Sequence, residues 1–202
     1  FYTSGVCDDE WVAMNDDNRF KKIPEEKIID GKDLIFINET DTNVELMVYD
    51  LDKCEMTCRT VLFDDSNILD KYKLLGIYEK NAYVIHLHDH EITLLGVNIE
   101  DGSIKENPML GHSSYWNLDN IFQFANGKIA YVDTENDKSA ISIYSIADER
   151  KHSYEFDFDT KDAEISYLPV TGFVYLYDKT GDYIVDVEQG TMKQLEIDRS
   201  TD

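Results

Sequence analysis

Three imidazoles and a carboxylate crowd into His86-Leu87-His88-Asp89-His90, within the apolar-flanked run 84–92. Residues two apart on a strand point to the same side, so His86 and His88 could offer two nitrogens to one metal ion. Zinc takes three or four ligands in tetrahedral array, and the only nearby nominees to complete the set are Glu91 and Asp133. His112 beside Ser113 and Ser114 is a second candidate, as base and nucleophile. Adjacency alone does not build an oriented triad, and a long polar loop naturally contains both residue types. The chain has no Gly-x-Ser-x-Gly elbow, phosphate-binding loop or dinucleotide glycine fingerprint.

Cysteine chemistry is equally sparse. Cys7, Cys54 and Cys58 are odd in number, and Cys-Glu-Met-Thr-Cys lacks the usual zinc-pair spacing. On a strand, Cys54 and Cys58 would face one side about 13 Å apart, too far to bridge. Reduced, partly buried thiols are therefore expected, which leans towards an intracellular protein. The glycosylation sequon Asn38-Glu39-Thr40 leans the other way, and the compartment stays open. The start at Phe1, without methionine or leader, is expected of an excised domain or processed chain.

The elements that must position these side chains read as strands. Helical periodicity is almost absent, and short runs rich in Ile, Val, Tyr and Phe alternate with Asp, Asn and Gly. Four such runs begin at Asp33, Tyr83, Lys128 and Gly172, spaced 50, 45 and 44 residues apart. Each is followed by a second apolar run, a tight turn and a third run. Three are preceded by another strand, and the first repeat offers the shorter Glu-Lys-Ile-Ile-Asp there. Four-stranded units at about 45-residue spacing resemble the β-propeller superfamily. The pattern is similar to WD-repeat-like and quinoprotein-like propellers alike. It lacks the Gly-His and Trp-Asp pairs of true WD repeats and the glycine pairs of kelch, so it assigns no subfamily.

The expected fold is all-β: a β-propeller or part of one, with four to five four-stranded blades in a single domain spanning 1–202. Blades are expected at 25–63, 72–108, 121–158 and 163–198, with 1–24 giving strands of a partial N-terminal blade. A two-sheet sandwich is the architectural alternative. Aligning the runs places His86 level with the packing residues Phe36, Tyr131 and Leu176, and His88 level with Asn38, Asp133 and Asp178. Metallohydrolases of the β-lactamase type read His-x-His-x-Asp-His, and this run is one residue short. His86 is accordingly expected to be a packing histidine, with no metal and no cofactor assigned.

Charge has a direction on this scaffold. Asp and Glu number 42 against 19 Lys and Arg, a net charge of −23, which disfavours nucleic-acid phosphates and anionic lipid as partners. No segment approaches the ~20 apolar residues of a membrane helix. With a blade's strands lettered a to d, the b–c and d–a connections emerge on one face and the a–b and c–d turns on the other. The b–c loops hold Glu39, Asp41, Asp89, Glu91, Asp133, Glu135, Asp137, Asp178 and Asp182, opposed by Lys138 and Lys179. The opposite turns carry balancing cations, among them Lys32, Lys80, Lys105, Lys128, Arg150 and Lys151. The long connection after the second blade adds Tyr115 and Trp116 to the acidic face. Aromatics ringed by acids suit a basic protein or peptide, which is the expected partner. The expected binding residues are Glu39, Asp41, Asp89, Glu91, Asp133, Glu135, Asp178, Tyr115 and Trp116. Two other readings stand beside this one. The chain could be a metal- or ligand-binding propeller of hydrolase type. It could also be part of a larger propeller whose open edge is completed by another chain or segment.

Overall fold

The computed structural model describes residues 26–40, 42–64, 71–106, 110–112, 122–135, 138–156, 164–178 and 181–196; of residues 106, 134, 135, 138 and 178 it describes the backbone. The strands expected from residues 1–24 lie outside these. Among the described residues every regular element is a strand, and the strands form four antiparallel meanders. Blade 1 comprises β1 (Lys27–Asp30), β2 (Asp33–Glu39), β3 (Asn43–Asp50) and β4 (Glu55–Asp64). Blade 2 comprises β5 (Lys71–Tyr78), β6 (Asn81–His88), β7 (Glu91–Asn98) and β8 (Ile104–Glu106), and the short β9 (Gly111–His112) also pairs with β7. Blade 3 comprises β10 (Phe122–Ala125), β11 (Lys128–Glu135), β12 (Lys138–Ser145) and β13 (Arg150–Phe156). Blade 4 comprises β14 (Glu164–Leu168), β15 (Phe173–Asp178), β16 (Gly181–Asp186) and β17 (Thr191–Leu195).

Period-two alternation explains the packing, because each central strand is apolar on both faces and each face meets a different blade. On β6, Ala82 and Val84 pack towards blade 1 with Ile35, Leu46 and Val48. The alternate residues Tyr83, Ile85 and Leu87 join Ile129, Tyr131 and Phe122 in the cluster shared with blade 3. Val174, Leu176 and Val185 extend that cluster into blade 4. The first strands of successive blades touch, β1 against β5, β5 against β10 and β10 against β14, so they form the inner wall of an arc. Among the described residues no contact of similar extent joins β14 to β1.

Two-residue turns hold the registers. Glu79-Lys80, Asp89-His90 and Asn126-Gly127 all have positive φ at both positions, the type I′ geometry that matches strand twist. Gly76 meets a different demand. A Cβ there would strike the Phe124 ring, so glycine lets the inner strand of blade 3 approach β5 beside the register shift between Leu74 and Gly76.

Two sequence expectations need correction at this level. Cys54 is disulfide-bonded, with its partner outside the described residues, whereas Cys58 is free and buried. The uniformly reduced state is therefore wrong, and with it the thiol argument for an intracellular protein. Asn38 of the sequon is a buried residue of β2, where the folded chain leaves no room for a glycan. No helix of the described residues is long and apolar enough to cross a membrane.

Candidate interaction face

The histidine run now has a structural explanation. β6 carries His86 and His88, and Asp89-His90 is the turn into β7, with φ of 45° and 70°. His86 is half-buried and packs across the blade 1–blade 2 boundary. Its ring stacks on Tyr72 at 5.0 Å with an interplanar angle of 8°, and lies 4.2 Å from the Phe63 ring centroid. That is the packing role expected of it, at a different level.

The a–b turns set the level: Asp30 pairs with Asp33, Tyr78 with Asn81 and Ala125 with Lys128. Counted from them, Val84 is level with Phe36, Tyr131 and Leu176, and His86 is level with Asn38 and Asp133. The strand begins at Asn81, two residues before the apolar run at Tyr83, and neither Asn81 nor Ala82 carries a strand-forming signal. His88 lies one step further out and is exposed.

Asp133 is where the expected site and the structure part. Its side chain is only 2% exposed, so it does not present charge to an approaching partner. One carboxylate oxygen pairs with Lys151 Nζ at 2.6 Å, and the other accepts the His112 amide hydrogen bond at 3.0 Å. Lys151 also donates to the Leu110 carbonyl at 2.9 Å, which accepts the Tyr131 hydroxyl at 2.8 Å as well. The Leu110 amide in turn donates to the Ile92 carbonyl at 2.8 Å. A Cβ on Gly111 would collide with the Asp133 carboxylate, so glycine lets β9 settle against blade 3. Burial pushes the Tyr131 phenol well above its ordinary range, with the Asp133 charge reinforcing it, and keeps the hydroxyl a donor. These bonds fix the start of the connection that leads to Tyr115 and Trp116. Lys151 thus serves this buried knot rather than neutralising the opposite turns. Asp182 is also buried, accepting a hydrogen bond from the Tyr175 hydroxyl.

The remaining expected residues divide cleanly. Glu39, Asp89 and Glu91 are exposed at the b–c ends of blades 1 and 2, and none makes an ion pair among the described residues. Glu135 and Asp178 occupy the corresponding ends of β11 and β15, by backbone position. Asp41, Tyr115 and Trp116 lie outside the described residues. At the opposite turns four lysines are matched by carboxylates. Lys32 pairs with Asp50, Lys80 with Glu100 at 2.6 Å, Lys105 with Glu149 at 2.8 Å and Lys128 with Glu188 at 3.6 Å. The last two tie blade 2 to blade 3 and blade 3 to blade 4. The Lys32 hydrogen bond holds the Asp50 carboxyl below its ordinary range, helped by the amides of Lys53 and Asp52. Among the described residues no three His, Cys, Asp or Glu side chains have their donor atoms gathered about a point. Sequence reasoning missed Lys151 and Tyr131 as the fasteners of the long connection. Their signal was faint, a lysine and a tyrosine on strands of the same repeat.

No protein-family model matches the chain, and no curated protein matches it in sequence. Solved structures do. The WD40 domain of SCAP from fission yeast superposes with a TM-score of 0.53 at 11% identity, over 87% of this chain and 43% of that one. TolB from Acinetobacter baumannii gives 0.48 at 17% identity, over 77% and 37%. A chain of the nidogen/laminin complex gives 0.45 at 15%, over 80% and 58%. The chain spans less than half the length of the TolB and SCAP chains. At these identities the likeness is one of fold. The SCAP superposition and the four successive meanders agree on a β-propeller architecture, without the signature pairs of WD repeats.

Proposed function

We propose that this β-propeller chain docks a basic protein or peptide on the face formed by its b–c turns. The observation that supports this reading is the sorting of ion pairs. Lys32, Lys80, Lys105 and Lys128 of the opposite turns are matched by carboxylates, while Glu39, Asp89 and Glu91 are exposed with no ion pair among the described residues. Unneutralised carboxylates on one face raise a local potential that reaches about a Debye length, ~8 Å at physiological salt. Glu135, Asp178, Asp41, Tyr115 and Trp116 remain in the proposed face, and Asp133 leaves it.

Selection of phage-displayed dodecapeptides on the immobilised chain tests the reading. Bound sequences should be enriched in Arg and Lys, and the double variant Glu39→Lys, Glu91→Lys should lose them. Enrichment of neutral or acidic sequences, or equal retention by the variant, would contradict it.

A further inference from the structure

The outer face of blade 1 is sealed although it stands at the end of the arc. Leu34 is opposed by Tyr49 and Phe36 by Met47 in the β2–β3 ladder, so the four side chains share the face turned away from blade 2. Leu34 is 4% exposed, Phe36 2%, Met47 1% and Tyr49 1%. Among the described residues every member of their cluster belongs to blade 1 itself, and Cys54 of the β3–β4 turn is one of them. Apolar side chains on a sheet face are removed from water only by a second layer packed on it. At the other end of the arc Phe173, Tyr175 and Ile184, on the outward face of blade 4, are only half-buried.

We propose that residues 1–25 cover the outer face of blade 1 and are stapled to it by a disulfide between Cys7 and Cys54. The chain has three cysteines, of which Cys54 is disulfide-bonded and Cys58 is a free thiol. Cys7 is therefore the partner left within the chain. Forming the bond joins the two sulfurs, while a donor disulfide takes up their two electrons and two protons and becomes a pair of thiols. The loop it closes contains all of β1, β2 and β3, the strands that need the cover.

The segment has the side chains and the reach for this role. Val6, Trp11, Val12, Met14 and Phe20 supply apolar surface. The 18 residues between Cys7 and Glu26 span up to about 60 Å when extended. Cys54 stands only two to three strand spacings from β1, roughly 10–14 Å. The segment is thus long enough to cross the face and return.

Two readouts on the full chain test the staple and the cover separately. Thiol titration in denaturant without reductant should find one thiol in the parent, none in Cys58→Ser and two in Cys7→Ser. More than one thiol in the parent would overturn the pairing, whatever the variants do. The cover is read by peroxide oxidation of methionines, mapped by mass spectrometry. Met47 is 1% exposed and Met56 36%, so Met56 should oxidise first in the parent. Cys7→Ser and Cys54→Ser should each speed Met47 oxidation by roughly tenfold or more as the segment lifts away. Met192 of blade 4 should keep its rate. If Met47 is as protected in Cys7→Ser as in the parent, something other than the stapled segment seals the face. If Met47 and Met192 are speeded equally, the loosening is general. Either result overturns the proposal.

Discussion

Buried Asp133 meets the partly exposed Lys151 in the gap between blades 2 and 3, and the Leu110 carbonyl completes the knot. Removing one partner strands the other, which costs about 3–5 kcal/mol for buried pairs, and the lower end applies because Lys151 is partly solvated. Asp133→Ala should therefore lose about 3 kcal/mol in urea unfolding. A loss under ~1 kcal/mol, the scale of a surface ion pair, would place the carboxylate in solvent after all. His86 makes a different demand. His86→Phe keeps the stack on Tyr72 and Phe63 and should melt near the parent temperature. His86→Asp puts a carboxylate among rings and should cost about 1–3 kcal/mol. Equal melting temperatures for the two variants would remove the packing role. Asp50 contributes to the acid sensitivity. Its folded value lies below the ordinary one, so it contributes stability above the ordinary carboxylate range, which is lost as pH falls through the folded value. Asp50→Asn should flatten the acid limb of the stability curve, and an unchanged limb would contradict the pairing with Lys32.

Strands and turns were the most legible part of the sequence, because each blade rewrites the same alternation and ends in a turn with the right residues. Asn126-Gly127 announces its hairpin in plain terms, whereas Glu79-Lys80 adopts the same positive-φ geometry with residues that carry no such signal. The sequence pattern therefore points to Tyr83 as the start of β6, and to a level for His86 two residues from the one it occupies. β9 was not legible at all: Gly111-His112 has no apolar alternation, and its place beside β7 depends on tertiary contacts such as the Leu110 amide bond to Ile92. Gly76 shows the same dependence on tertiary contact, since nothing local announces the Phe124 ring beside it. Gly76→Val should force the inner strands of blades 2 and 3 apart and lower stability by about 1–3 kcal/mol or more. A neutral result in chemical denaturation would mean that the β5–β10 packing is looser than described.

At the scale of the whole molecule, a 45-residue repeat sufficed to read an all-β propeller architecture, because four copies of one pattern leave few other solutions. Charge was legible only in part. Counting acids in the b–c loops gave equal weight to exposed Glu39 and buried Asp133, and sequence cannot distinguish them when the cation that neutralises Asp133 lies on another strand. What remains of the acidic face is a claim about long-range attraction, and attraction acts on association rates. The decisive measurement is the association rate of a selected Arg- and Lys-rich dodecapeptide across a series of salt concentrations. It compares the parent chain, Glu39→Lys with Glu91→Lys, and the opposite-facing control Asp30→Lys with Asp52→Lys. The account predicts a slower rate and a flatter salt dependence for the first pair, with the control close to the parent. Equal slowing by both pairs would show attraction by net charge alone and contradict docking on the b–c face.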